Sequence, residues 1–283
     1  MKQRPTYLIK TTLFALLLSW LLLAAGPAYA TSVRAVPLLQ ASCTLPATVT
    51  TASQLRDCIT AANGNGAGLD TITLGADITL TLTLPQITTA ITLEGAGYTL
   101  DGANSRQIFN VGTAGDLTIN EATLQNGFAT NGGGAVYNDG TLTLINSTLS
   151  GNSAAAGAAV FNFLASTFTA TNSTFSGNTA TTNGGAIYNL DTMILTSNTF
   201  ADNAAPTGGS LYNATPRGYL AGNIFAKGTN GANCVTGAAI NDNGYNLSDD
   251  ATCTNGGFDS QTNVTLNLGA LTDNGGLTPT HLP

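Results

Sequence analysis

Gly133-Gly134-Ala135-Val136-Tyr137-Asn138 returns as Gly157-Ala158-Ala159-Val160-Phe161-Asn162, then as Gly184-Gly185-Ala186-Ile187-Tyr188-Asn189, and again as Gly208-Gly209-Ser210-Leu211-Tyr212-Asn213. Between these phrases a second one recurs: Ser147-Thr148-Leu149-Ser150-Gly151-Asn152, Ser173-Thr174-Phe175-Ser176-Gly177-Asn178 and Asn198-Thr199-Phe200-Ala201-Asp202-Asn203. The interval is 24 to 27 residues, a self-similarity that marks a repeat architecture. Within one unit Leu142, Leu144, Asn146 and Thr148 alternate with Thr141, Thr143, Ile145 and Ser147, which suits a pleated, half-buried surface. Gly, Asn, Asp and Ser bound each short strand as turn residues. No window of the repeats spaces apolar residues as a helix would. One such unit cannot bury its own apolar face, so it must stack on its neighbours. Strands that return in one direction without crossover helices predict an all-β fold, a parallel β-helix solenoid, with coils ~4.8 Å apart.

The asparagines fit that stack. Asn138, Asn162, Asn189 and Asn213 share one phase of the repeat, and Asn152, Asn178 and Asn203 share another. Asn tolerates the left-handed backbone of a tight corner, and amides stacked at one corner can bond the coil above and below. Tyr137, Phe161, Tyr188 and Tyr212 form an aromatic column in the same way. These columns read as a scaffold, with a binding surface as the alternative.

Outward from the repeats, residues 1–30 read as an export signal. Lys2, Arg4 and Lys10 precede an apolar run from Leu13 to Ala25, and Ala28-Tyr29-Ala30 is an A-x-A cleavage site. The rival is an uncleaved anchor, for which the run is a little short. Residues 31–69 read as an N-terminal cap region. Thr51 and Gln54 form a capping box, and Leu55, Ile59 and Ala62 line one face of a short helix ending at Asn63-Gly64-Asn65-Gly66. Its expected job is to cover the open first coil, since a bare end offers strand edges and core. Residues 70–283 are expected to be solenoid, with Ile78 to Leu84 as an early alternating strand and an irregular C-terminal part from about 228. The chain stops at Pro283 without a closing element, which suggests a shortened product or a lost anchor.

Four cysteines behind an export signal predict an oxidised framework. Proximity favours Cys43–Cys58 and Cys234–Cys253, each closing a short loop worth ~3 kcal/mol in the loop-entropy model. No Cys-x-x-Cys occurs and the single His281 is remote, so no metal site is expected.

The repeats resemble those of polymorphic outer membrane proteins. Gly133 to Val136 and Gly184 to Ile187 match their Gly-Gly-Ala-Ile/Leu/Val motif, and Phe175 to Asn178 and Phe200 to Asn203 match Phe-x-x-Asn. More of the chain resembles exported β-helix proteins with a choice-of-anchor Q domain. Asp70-Thr71-Ile72-Thr73-Leu74, Glu94-Gly95-Ala96-Gly97, the repeats, Gly244-Tyr245-Asn246-Leu247 and Leu271-Thr272-Asp273-Asn274-Gly275-Gly276 carry that likeness, with Thr278-Pro279-Thr280-His281. The resemblance implies a right-handed parallel β-helix, secreted or on a bacterial cell surface or outer membrane, for which adhesion or surface interaction is the expected role. Neither an autotransporter barrel nor a sorting segment after His281 is expected from these residues, so the expected mode of surface attachment departs from that pattern.

Charge and chemistry narrow the choice. The chain carries 8 basic and 15 acidic residues, and loss of the leader leaves 5 basic and a net charge of −10. That balance lacks the basic footprint of a nucleic-acid binder. A β-helix lyase needs carboxylates for Ca²⁺ and an Arg or Lys, and a hydrolase needs paired carboxylates. Of Arg34, Arg56, Arg106, Arg217 and Lys227, only Arg217 and Lys227 lie near the later coils, and no acidic column faces them. Asp139 and Asp191 fall two coils apart, roughly 10 Å by the coil spacing. Asp202 stands where other repeats have Gly151 and Gly177. Asp249-Asp250, the only acidic pair, reads as a solvated loop or a weak Ca²⁺ site. The sequons at Asn146 and Asn172 are expected on strands. No catalytic, cofactor or metal residue is assigned. The expected role is a non-catalytic adhesion or interaction module whose partner is a host or neighbouring cell surface, a glycan or a matrix component. Contact with a membrane is expected only through export or a lost anchor. The alternative is a carbohydrate-active β-helix that binds or cleaves acidic polysaccharide.

Overall fold

Thr141-Leu142-Thr143-Leu144-Ile145 shows how the coil is built: Leu142 and Leu144 are fully buried, while Thr141, Thr143 and Ile145 face outward. The strand lies parallel to Asp116–Asn120 on one side and Thr167–Thr171 on the other, so Leu142 sits between Leu117 and Phe168. A computed structural model describes residues 43–66 and 68–283 in this way, and the export signal expected over 1–30 lies outside the described residues. The architecture is an all-β parallel solenoid of about eight turns with one short helix near its start.

Three long sheets run along the solenoid, and Ser153–Ala156 and Thr179–Asn183 form a two-stranded fourth. A nine-stranded sheet extends from Ala47–Val49 to Asn241–Asp242, an eight-stranded sheet from Ile78–Thr79 to Leu247–Ser248, and a six-stranded sheet from Phe109–Val111 to Cys234–Thr236. All named strands pair in parallel, in register with the sequence repeat. The eight-stranded sheet sends Leu100, Leu124, Leu149, Phe175, Phe200 and Phe225 inward as one column. The six-stranded sheet contributes Val136, Val160, Ile187 and Leu211.

The corners explain the turn residues. Gly133, Gly157, Gly184 and Gly208 have φ between +52° and +67°, and a Cβ on any of them would collide with the carbonyl of Val136, Val160, Ile187 or Leu211. The first glycine of each phrase is therefore required both for its backbone angle and for the space it leaves. Asp202, with φ +59°, takes the same left-handed corner as Gly151 and Gly177. Asn146 and Asn172, expected on strands, instead sit exposed at left-handed corners just past the strands, each with φ +50°. The short polar side chain of Asn makes that conformation cheap.

Two other details differ from the sequence reading. The first strand, Ala47–Val49, precedes the helix and pairs with Leu69–Leu74, so the cap region itself starts the nine-stranded sheet. Three residues are too few to show an alternation. Ile78 to Leu84 keeps its inward Ile78, Leu80 and Leu84, but only Ile78–Thr79 pairs as a strand.

The helix is Ala52–Gly64, and it buries Ala52, Leu55, Cys58, Ile59 and Ala62 against the same core as the first coils. Thr51 Oγ1 accepts from Gln54 N at 3.3 Å, while Gln54 Oε1 reaches one residue further back to Thr50 N at 2.8 Å. At its other end Asn63 donates to Gln86 O (2.7 Å) and accepts from Thr88 N (2.9 Å), which pins the helix onto the next turn of chain. Both disulfides pair as proximity suggested, Cys43 with Cys58 and Cys234 with Cys253.

Candidate functional site

The asparagine columns form continuous ladders inside the corners. Asn138, Asn162 and Asn189 each donate Nδ2 to the Oδ1 of the next coil's asparagine at 2.7 Å, ending on Asn213. Asn152 and Asn178 do the same at 2.9 Å, ending on Asn203. All of these side chains are buried. Each amide also caps backbone groups, as when Asn178 Nδ2 donates to Leu149 O at 2.9 Å. These residues are absorbed by the scaffold and leave nothing to offer a ligand.

A third ladder escaped the sequence reading. Ser147 and Ser173 precede Asn198, Asn223 and Asn246 at one corner, and Asn198 donates to Asn223, and Asn223 to Asn246, at 3.0 Å. Its signal was present two residues before the inward Leu149, Phe175, Phe200 and Phe225, but serine in the first two coils hid the column.

The charged residues are largely tied to the framework. Arg217 meets Asp191 at 2.8 Å across one coil step, and Asp191 also accepts from Ala165 N and Thr192 Oγ1. Asp249 accepts from Asn233 Nδ2 and Lys227 N, and Asp250 from Asn233 N, Thr252 and Ser248. All four oxygens of this half-buried pair are thus engaged by the chain itself. The pair caps the irregular last coils and is not a solvated loop. Among the described residues, no group of three or more His, Cys, Asp or Glu stands together as a metal site.

Asp242, which sequence reasoning passed over, is the organising acid of the C-terminal part. Its carboxylate accepts from Gly244 N, Asn246 Nδ2, Ser260 Oγ, Asn255 N and Gly257 N at 2.7 to 3.2 Å. Burial opposes its ionisation, but the bonds from Ser260, Asn246, Gly244 and Gly257 outweigh burial and hold its pKa below the ordinary value. Asp250 and Asp191 are lowered by the same balance: burial opposes, and hydrogen bonds win, from Thr252, Asn233 and Ser248 for the first and from Arg217, Ala165 and Thr192 for the second. A carboxylate depressed in the folded state contributes stability in full above its unfolded pKa, about 4, and loses it as the pH falls through the folded value. Melting temperature should therefore stay level from neutrality to about pH 5 and fall below about pH 4. Asp242→Asn should melt lower at neutral pH and show a shallower acid limb. Parallel acid limbs for the two proteins would remove Asp242 from this role.

The final segment folds back over the eight-stranded sheet. Thr278 Oγ1 donates to Asn146 O (3.1 Å), Thr148 Oγ1 to Pro279 O (2.7 Å), and His281 Nε2 lies 2.9 Å from Ser176 Oγ. Thr123, Thr148 and Thr174 share the outward column of that sheet, yet they are buried.

Depressions among the described residues include three of note. One of about 500 Å³ is lined by Ser105, Gln107, Asn110, Phe128, Asn131 and Tyr137, among others, and by no carboxylate, lysine or arginine. The other two, of about 170 and 260 Å³, each hold one carboxylate, Asp57 or Asp77. Above the first runs the outer aromatic column of the six-stranded sheet. Tyr137, Phe161, Tyr188 and Tyr212 stack with centroids 4.9 to 5.3 Å apart and planes within 13°. Among the described residues no helix is long and apolar enough to cross a membrane, which says nothing of β-barrels.

Compared with known proteins, residues 172–190 match the Chlamydia polymorphic membrane protein repeat. No curated protein and no solved structure matches the chain. The matched segment contains the corner Asn172, the inward Phe175, the ladder residues Asn178 and Asn189 and the left-handed Gly184. The match thus covers most of one coil, and this chain is a parallel β-helix in which that coil is similar to the polymorphic membrane protein repeat.

Proposed function

We propose that the chain is an exported interaction module displayed at a bacterial cell surface, where it binds a host or neighbouring cell, a glycan or a matrix component. The observation that carries this reading is the fate of the charges: Arg217, Asp191, Asp242, Asp249 and Asp250 are spent on holding coils together. None of the three depressions has two carboxylates, nor do Arg217 or Lys227 line them. The outward face of the nine-stranded sheet is rich in threonine, as in the register Thr92, Thr118, Thr143 and Thr169. The match to a membrane protein repeat supports display outside the cell. Such a surface recognises by hydrogen bonding and shape, and long solenoid faces suit extended partners.

The test is twofold. Labelled protein should bind cells or extracellular matrix saturably, and unlabelled protein should compete. Incubation with polygalacturonate or pectate should release neither unsaturated ends nor reducing ends. Turnover that Asp191→Asn or Arg217→Ala abolishes would replace this reading with the polysaccharide enzyme.

A further inference from the structure

The aromatic stack on the six-stranded sheet stops at Tyr137. The next position in register is Asn110, a shorter side chain that cannot continue the stack. Phe161 covers one face of Tyr137, with centroids 5.3 Å apart and planes within 5°. The side towards the preceding coil borders the depression of about 500 Å³, within the range of small-ligand sites. Phe128, 40% exposed, stands on the same wall.

The polar groups beside these rings are oriented in advance. Gln107 Nε2 donates to Gly132 O (3.1 Å) and Gly133 O (2.7 Å), which leaves Oε1 as the available acceptor. Asn110 Oδ1 accepts from Gln86 Nε2 at 3.0 Å, which leaves Nδ2 as the available donor. Asn131 and Thr130 are exposed on the rim, and among the described residues neither side chain is hydrogen-bonded within the chain. The lining thus joins aromatic surface to fixed amide donors and acceptors, with no Asp, Glu, Lys or Arg.

We infer that this depression binds a neutral saccharide, with one sugar ring laid against the open side of Tyr137 and its hydroxyls bonded to Gln107, Asn110 and Asn131. A pyranose has an apolar C–H face that packs on an aromatic ring and a rim of hydroxyls that both donate and accept. Uncharged amides satisfy that rim at little desolvation cost, whereas an anionic sugar would enter without a cation to receive it. The inference rests on the interaction reading above and names its ligand class.

The experiment uses the purified exported protein with cello-, xylo-, manno- and malto-oligosaccharides, and oligogalacturonate as the anionic control. Binding is read by saturation-transfer NMR and calorimetry. At least one neutral oligosaccharide should bind. Tyr137→Ala should weaken it by about tenfold, equivalent to ~1.4 kcal/mol, while Tyr137→Phe keeps the affinity. Asn131→Ala, in an exposed loop, should weaken binding without moving the melting temperature. Tyr219→Ala, exposed on the nine-stranded sheet, is the control and should change nothing. No neutral binding at millimolar sugar, tighter binding of oligogalacturonate, or equal affinities for Tyr137→Ala and Tyr219→Ala would overturn the inference. The same proteins are assayed on cells. Cell binding by the native protein in the absence of sugar binding would sink the saccharide site and leave the interaction reading standing. Sugar binding with no cell or matrix binding would do the reverse.

Discussion

Asn178→Ala should destabilise the solenoid by about 4 kcal/mol, counting several buried groups left without partners at ~1–3 kcal/mol each. Asn178 Oδ1 accepts both the backbone N (3.1 Å) and Nδ2 (2.9 Å) of Asn152, and Asn178 Nδ2 donates to Leu149 O and Asn203 Oδ1, both at 2.9 Å. Alanine removes all four bonds while its neighbours stay buried, and no water reaches a side chain that is 0% exposed. Asn178→Asp should be at least as damaging. It keeps the acceptor but turns the donor into a second acceptor facing Leu149 O and Asn203 Oδ1. The effect should also be local at first, because each coil contacts only its neighbours. Amide exchange should rise in the coils around Asn152, Asn178 and Asn203 before it rises near the helix. A loss below about 1 kcal/mol, with exchange unchanged, would mean that the ladder contributes little beyond shape.

Phe200→Ala should cost about 3–5 kcal/mol through lost burial and the cavity it leaves. Phe200 is fully buried between Phe175 and Phe225, each 4.7 Å away between ring centroids with planes within 11°. Flat rings repeat at the coil spacing with little void, so the site can collapse only by bending the strands on either side. Two stacked pairs add ~0.5–1.5 kcal/mol each beyond area. Phe200→Leu is the informative comparison, since Leu124 and Leu149 hold the same column in earlier coils. Leucine should recover more than half of the loss in denaturant melts. If Phe200→Leu is as unstable as Phe200→Ala, the rings are required as a stack and not merely as volume.

The two changes separate the two ways one coil recognises the next. The amide ladders are directional and make a shift of register costly, because every bond in a corner would be lost together. The inward columns are non-directional and supply most of the burial. Neither reaches solvent, so neither offers a ligand anything. What faces outward is the threonine lattice, the aromatic column ending at Tyr137, and the strap formed by the last residues.

The periodic part of this architecture was legible in the residues alone. A phrase that recurs every 24 to 27 residues places its copies one above another, so Asn138 over Asn162 and Asn152 over Asn178 followed from spacing, as did the parallel strands and the helix at Thr51. The cysteine pairs followed from short separations of 15 and 19 residues. Tertiary structure alone decided the features without a period. The strap joins Thr278 to Asn146 and Pro279 to Thr148 across 132 and 131 residues, and no repeat announces such a contact. Asp242 gathers its donors from an irregular segment where each bond is set by a different turn. The depression at Tyr137 lies where one column changes from aromatic to Asn110, beside the segment bearing Phe128 and Asn131, which pairs with Ser153 and Ala156 of the next coil. A repeat specifies what each coil shares with the next; a site arises where one coil departs from its neighbours, and only the folded chain shows which departures meet.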